Sequence, residues 1–89
     1  MNGTFNGIPL RQIISVQADS HGIGFVRTSF RVIGELLPPL EQQLKLHAPA
    51  VLILPSHEIE GTIVHYTADV HSGYDITIES KKPNRAGGQ

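Results

Sequence analysis

The sequence predicts an all-β domain, a small six-stranded antiparallel barrel spanning residues 1 to 80. Short segments rich in Ile, Val, Phe and Thr alternate with clusters of Gly, Asn, Asp and Pro, which is the spacing of strands and turns. Three Phe, two Tyr and no Trp are present, so the core must be built mainly from aliphatic side chains, which favour strands. Closure into a barrel would remove the exposed edges of so small a sheet.

The first predicted hairpin lies at the N-terminus of the chain. Asn6-Gly7 is a strong signal for a two-residue turn, because both residues tolerate the positive φ of a type I′ turn. A short strand, residues 3 to 5, should therefore pair with the segment that follows. That segment, residues 8 to 18, is predicted to be one half-buried strand. Its apolar face consists of Ile8, Leu10, Ile14, Val16 and Ala18.

The next break is predicted at Asp19-Ser20-His21-Gly22, where Asp19 and Ser20 should form an Asx-type turn. A third strand, residues 23 to 32, follows this turn. Residues 33 to 44 are predicted to form an irregular loop across one end of the barrel. The reason is the pair Pro38-Pro39, since proline interrupts both helix interiors and central strands.

The second half of the chain supplies the remaining strands and a tail. Residues 51 to 54 and 59 to 67 should form a hairpin around the turn at Pro55 to Glu58. Apolar and polar residues alternate without a fault from Tyr74 to Glu79, which predicts the best-defined strand. Residues 81 to 89 contain Ala86 as their one apolar residue, so a disordered tail is predicted there.

Composition excludes several classes of function. A formal net charge of −1 argues against binding of nucleic acid, which needs a basic surface. The chain has no Cys, so it has neither a disulfide framework nor a thiol nucleophile, and this fits a reducing compartment. Its longest apolar run is Ala50 to Leu54, too short for a signal peptide or a membrane span. We therefore expect a cytoplasmic protein without membrane insertion.

No arrangement of residues predicts catalysis, a metal site or a cofactor. No two of the five histidines are spaced as a ligand pair on a strand or a helix, so surface and turn positions are expected for His21, His47, His57, His65 and His71. Asp19, Ser20 and His21 are consecutive and cannot reach the geometry of a catalytic triad. Glu58 and Glu60 share one strand face, where solvation is the simpler explanation.

Docking or ligand binding is the function that the remaining residues favour. Arg11, Arg27 and Arg31 would converge if the second and third strands pair, and would then form a small cationic patch suited to a phosphate or a carboxylate. The predicted turn contributes polar groups beside this patch. The candidate docking residues are Arg11, Gln17, Asp19, Ser20, His21, Gly22, Arg27 and Arg31.

Several segments together resemble the PilZ domain family over roughly residues 3 to 80. They are Gly3-Thr4-Phe5-Asn6-Gly7-Ile8-Pro9-Leu10, Ile13 to Asp19, His21-Gly22-Ile23-Gly24-Phe25, Glu60-Gly61-Thr62-Ile63-Val64-His65 and Gly73-Tyr74-Asp75-Ile76. The resemblance implies a six-stranded bacterial β-barrel. Many members of that family bind cyclic di-GMP through an Arg-x-x-x-Arg stretch and an Asp/Asn-x-Ser-x-x-Gly turn.

This chain departs from both nucleotide-binding motifs. With Gly22 aligned to the motif glycine, Asp19 stands in place of the serine and Gln17 in place of the acid or amide. Ser15 stands four residues after Arg11, so no arginine pair precedes the barrel. The resemblance therefore implies a divergent member that does not bind cyclic di-GMP in the usual mode. It implies a regulatory or adapter module with a protein partner in bacterial motility, pilus or second-messenger systems.

Two alternatives stay open at the level of sequence. One is a structural assembly subunit, such as a component of a phage or secretion-system ring, in which small β-domains pack edge to edge as an oligomer. The other is a true cyclic di-GMP receptor, if an upstream segment supplies the missing arginines.

Overall fold

A computed structural model describes residues 1 to 20, 22 to 69 and 73 to 81, and it confirms the all-β class. Over these residues the chain forms one seven-stranded sheet and a short helix. The elements are β1 (Gly3–Phe5), β2 (Ile8–Leu10), β3 (Ile13–Ser20), β4 (Phe25–Val32), α1 (Pro38–Lys45), β5 (Pro49–Ile53), β6 (Glu58–Asp69) and β7 (Gly73–Lys81). Lys81 ends β7, and the rest of the predicted tail, residues 82 to 89, lies outside the described residues.

All neighbouring strands are antiparallel, in the order β2-β1-β5-β6-β7-β4-β3. Strand pairing within the described residues does not close this sheet into a barrel, so β2 and β3 lie at its two edges. The N-terminus nevertheless reaches the start of β3. The Met1 amino group donates to the Ile13 carbonyl at 2.9 Å, and the Ile13 N–H donates to the Met1 carbonyl at 2.8 Å.

An aliphatic core covers one face of the sheet, as the composition predicts. The fully buried residues include Phe5, Ile13, Phe30, Leu40, Leu44, Leu52, Ile63, Ile76 and Ile78. The rings of Phe5 and Phe30 pack at a centroid distance of 6.3 Å. In β7 the alternating residues Tyr74, Ile76 and Ile78 are all buried, which confirms the predicted strand. The predicted hairpin between β5 and β6 also forms.

The turn predicted at Asn6-Gly7 connects β1 to β2, with φ of 50° and 83° at the two residues. Asn6 also ties this hairpin to the rest of the fold. Its Oδ1 accepts from the Val51 N–H at 2.7 Å, and its Nδ2 donates to Gln43 Oε1 at 2.8 Å and to the Pro49 carbonyl at 3.0 Å.

The prediction of one strand over residues 8 to 18 was wrong. The segment divides into β2 and β3, which accounts for seven strands where six were predicted. Ser15 has a φ of 54°, and the register of β3 against β4 shifts between Ile14 and Gln17, which marks a β-bulge. The extra residue changes the phase of the alternation. Upstream of the bulge, the break between β2 and β3 has already shifted the alternation, so Ile13 is buried and Ile14 is 42% exposed.

The prediction of an irregular loop over residues 33 to 44 was also wrong, because this stretch contains most of α1. Pro38 and Pro39 occupy the first helical positions, where the N–H has no partner within the helix and the fixed φ of proline suits the helix. Proline interrupts a helix only from its interior. Leu40 and Leu44, one turn apart, are buried against the sheet.

No helix among the described residues is long and apolar enough to cross a membrane.

Candidate functional site

Six of the eight candidate docking residues lie on or next to the β3–β4 hairpin. Gln17, Asp19, Arg27 and Arg31 lie on one face of the sheet, which we call the polar face. Across this face Asp19 pairs with Arg27, and Gln17 pairs with Ser29. The opposite face of β4 carries Thr28, Phe30 and Val32, which are buried. The polar face is therefore the solvent side of the sheet. Successive side chains of β4 point alternately to this face and to the core.

Both β4 arginines form ion pairs with carboxylates of β7. Arg27 Nε donates to Glu79 Oε2 at 3.0 Å, and Arg31 Nη1 donates to Asp75 Oδ2 at 2.9 Å. Each carboxylate stands directly opposite its arginine in the register. Cross-strand pairing of opposite charges stabilises the sheet. It also neutralises these guanidiniums, so the polar face is not the cationic patch that the sequence predicts.

Arg11 lies apart from the β4 arginines. It stands in the connection between β2 and β3, is exposed, and forms no ion pair with another described residue. It lines a pocket with Glu35 and Tyr74 on the side of the molecule where β2 and the segment preceding α1 meet. The structure thus places the three predicted arginines in two different environments.

The turn predicted at Asp19 to Gly22 begins later in the chain. Asp19 and Ser20 continue β3 and pair with Arg27 and Val26, so the predicted Asx-type turn at these residues was wrong. Pairing with β4 satisfies the local backbone, and tertiary structure overrides the turn propensity of Asp and Ser. Gly22 has a φ of 67° and lies in the connection itself, whereas His21 lies outside the described residues.

Exposed apolar side chains surround this hairpin. Ile23, at its tip, is 98% exposed, Ile14 is 42% exposed and Phe25 is 38% exposed. Phe25 shares the polar face with Arg27 by alternation along β4. Ile23 and Phe25 lie together at the tip of the hairpin, whereas Ile14 lies opposite Arg31 at its other end. Exposed large apolar residues that lie together mark a contact surface more often than isolated ones do.

The two edges of the sheet differ in how well they are protected. Edge strand β2 has three residues with Pro9 in the middle, and proline lacks the N–H that an added strand needs. β3 contains neither Pro nor Lys. Beyond Ile13, its side away from β4 has no backbone partner among the described residues. Asp19, the one charged residue of β3, forms no ion pair with a described residue.

Three of the five histidines can be located. His47 follows α1 with a φ of 51°, and its Nδ1 lies 3.0 Å from the Ile63 carbonyl. The Nδ1 of His57 lies 2.8 Å from the Ser56 hydroxyl, and His65 is exposed opposite Thr77. The described residues contain no group of three or more His, Asp or Glu side chains placed to hold a metal ion.

The sequence did not indicate Glu35 and Tyr74, which line the pocket, as site residues. Glu35 lies in a segment without regular pattern, and nothing in the sequence marks it. Tyr74 belongs to a strand whose alternation predicts a core residue, and it is only 2% exposed. A tyrosine at a core position is itself a signal, because its hydroxyl requires a partner when it is buried.

No protein-family model matches the sequence, and neither a curated protein nor a solved structure matches it. The resemblance to PilZ domains therefore stays a prediction.

Proposed function

We propose that this chain is a non-catalytic docking module that binds a protein partner through the free edge of β3. The observation that carries the proposal is the unprotected edge described above, next to the exposed side chains of Ile14, Ile23 and Phe25. An extended segment of a partner can add to such an edge, where main-chain hydrogen bonds provide affinity and alternating side chains provide specificity. The partner would become the eighth strand of the sheet.

The charges along the polar face indicate what the added strand should carry. Asp19, Arg27 and Glu79 follow one another across β3, β4 and β7, acid, base and acid. Because Arg27 is engaged by Glu79, Asp19 is left at the edge without an ion-pair partner in the described part of the chain. A Lys or Arg of the incoming strand opposite Asp19 would continue the alternation. A like charge there would be unfavourable.

Within this proposal the chain is a PilZ-like regulatory or adapter module of the bacterial cytoplasm, in motility, pilus or second-messenger signalling. The segments that resemble the family support that placement. The ion pairs of Arg27 and Arg31 and the carboxylate of Asp19 argue against cyclic di-GMP as its ligand, since the nucleotide carries two phosphates.

Selection of short peptides from a random display library on the folded domain tests the docking proposal. Selected peptides should carry alternating apolar residues and a Lys or Arg, and should protect backbone amides of β3 from hydrogen exchange. Ala18→Lys places a charge on the exposed edge and should abolish binding. The matched control is Thr62→Lys, an exposed residue of the interior strand β6, which should bind as the wild type does. Peptides that bind Ala18→Lys undiminished would refute the proposal.

Calorimetric titration of cyclic di-GMP at low and moderate salt tests the alternative that the chain is a cyclic di-GMP receptor. Binding that weakens with salt would identify a phosphate ligand. Micromolar affinity would replace the docking proposal by a receptor function.

The same free edge supports the second candidate, a structural assembly subunit, because β3 of a second copy can occupy it. Sedimentation equilibrium distinguishes the two. A β3–β3 contact is two-fold, so a dimer mass that Ala18→Lys reduces to a monomer would favour the assembly subunit, whereas a monomer of wild-type chain favours the adapter.

A further inference from the structure

A pocket of about 190 Å³ opens between β2, the segment before α1, and β7. Its apolar walls are formed by Ile8, Leu10, Val32, Leu37 and Leu40. For comparison, an engineered apolar cavity of about 150 Å³ in another protein binds benzene. The volume is therefore sufficient for one ring or one branched aliphatic group, and too small for a nucleotide or a drug-sized molecule. No β3 residue lines this pocket, so it is separate from the docking edge proposed for β3.

Tyr74 lines this pocket and carries a polar group without a partner among the described residues. The residue is 2% exposed, and its hydroxyl makes no hydrogen bond with any described residue. Burial also raises the pKa of this hydroxyl above its usual value, so it is a neutral donor at physiological pH. A buried hydroxyl without a partner costs free energy, which a ligand that accepts its hydrogen bond would recover.

Two exposed side chains of opposite charge complete the pocket, Arg11 and Glu35. Neither forms an ion pair among the described residues, with the other or with a third group. A cation and an anion that are both unpaired at the rim of an apolar pocket are complementary to a zwitterion. A guanidinium binds a carboxylate, and a carboxylate binds an ammonium group.

We propose that this pocket binds the zwitterion of a free apolar α-amino acid. The ligand's carboxylate would accept hydrogen bonds from Arg11 and the Tyr74 hydroxyl, and its ammonium group would donate to Glu35. Its side chain would pack against the walls formed by Ile8 and Leu37. This assigns a small-molecule site to a chain whose other features indicate protein docking.

Three probes that differ by one group each test the proposal, with chemical shifts of the ¹⁵N-labelled full chain as the readout. L-Phenylalanine has all the required groups, 3-phenylpropionate lacks the ammonium group, and phenethylamine lacks the carboxylate. A ligand with so few atoms is expected to bind in the high-micromolar to millimolar range, so titration should extend to about 20 mM. Each truncated probe should bind about fivefold more weakly, the worth of one partly exposed charged contact.

Variants of the two rim residues connect each ligand group to its side chain. Arg11→Gln should weaken binding of phenylalanine and 3-phenylpropionate about fivefold and leave phenethylamine unchanged. Glu35→Gln should weaken phenylalanine and phenethylamine and spare 3-phenylpropionate. Both residues are exposed, so the variants should fold. Tyr74→Phe should weaken only the two probes that carry a carboxylate.

The outcomes are decisive in both directions. Shifts confined to residues 8 to 11 and 32 to 40 and to Tyr74, with the crossed pattern of losses, would support the proposal. Absence of shifts at about 20 mM phenylalanine would overturn it. Equal binding of the three probes, or losses that ignore which group is missing, would overturn it as well, since the pocket would then recognise only the ring.

Discussion

Asn6 combines two roles that substitutions can separate. Its backbone has a φ of 50° in the turn between β1 and β2. Its side chain makes three hydrogen bonds to other elements, to the Val51 N–H, to Gln43 and to the Pro49 carbonyl. Asn6→Gly keeps the turn conformation and removes the side chain. Asn6→Ala removes the side chain and also strains the turn, because a Cβ in the left-handed region is unfavourable.

The geometry sets the size of both effects. The three side-chain bonds lie between 2.7 and 3.0 Å and are partly exposed, so each should contribute at the lower end of the usual range, about 0.5 to 1 kcal/mol. Asn6→Gly should therefore lower the free energy of unfolding by about 2 kcal/mol. Asn6→Ala should cost about 1 kcal/mol more for the positive φ. In a domain of this size, about 2 kcal/mol corresponds to roughly 8 to 16 °C in Tm.

Urea denaturation followed by far-UV circular dichroism measures both variants against the wild type. The control is Asn2→Gly, at an exposed asparagine in the same region whose side chain makes no hydrogen bond with a described residue. This substitution should change the free energy of unfolding by less than about 0.5 kcal/mol. An Asn6→Gly variant as stable as the wild type would refute the contribution of the side chain. An Asn6→Ala variant no less stable than Asn6→Gly would refute the strain.

Four further predictions concern Leu44, Gly73 and Tyr74. Leu44→Ala should lower the free energy of unfolding by about 2 to 5 kcal/mol in a chemical denaturation experiment, because Leu44 is fully buried in α1; equal stability would mean that α1 does not cover the core. Gly73→Ala should unfold the domain or reduce its yield, since Gly73 has a φ of 128° and an added Cβ would overlap the Val32 carbonyl; normal solubility and Tm would contradict that close approach. Tyr74→Phe should raise stability by about 1 kcal/mol at pH 7, because it removes a buried hydroxyl that has no partner, and a loss of stability would reveal a hydrogen bond there. Because the pKa of Tyr74 is raised, the folded protein holds this proton more tightly than the unfolded chain does. The resulting contribution to the free energy of unfolding is complete below pH 10.0 and is lost as pH rises further. Tyr74→Phe should flatten that decline in denaturation curves recorded on both sides of this pH.

The candidate site could be predicted only in part, and its charged residues show why. The turn and strand signals predict that Arg27 and Arg31 lie in the third strand, and the structure has both in β4. Whether they are available to a ligand depends on Glu79 and Asp75, which lie more than forty residues later in the chain and meet them only when β7 pairs with β4. The sequence of one strand alone does not determine its register against a strand that lies far away in the chain.

The pocket could not be predicted from the sequence for a similar reason. Arg11, Glu35 and Tyr74 are far apart in the chain, and each has an ordinary local explanation. Arg11 is a polar residue between strands, Glu35 precedes a helix, and Tyr74 is a core position of β7. Only the packing of β2 beside the segment before α1 places them around one volume.

The sequence by itself determined those features that depend on neighbouring residues. The Asn6-Gly7 turn follows from the positive φ that both residues accept, and the burial of Tyr74, Ile76 and Ile78 follows from alternation with a period of two. Tertiary structure decided the bulge at Ser15, the open edge of β3 and the start of α1 at Pro38. The physical reason is that these depend on which surfaces pack together: the core selects Ile13 over Ile14, and the buried leucines of α1 stabilise a helix that its prolines permit but do not require.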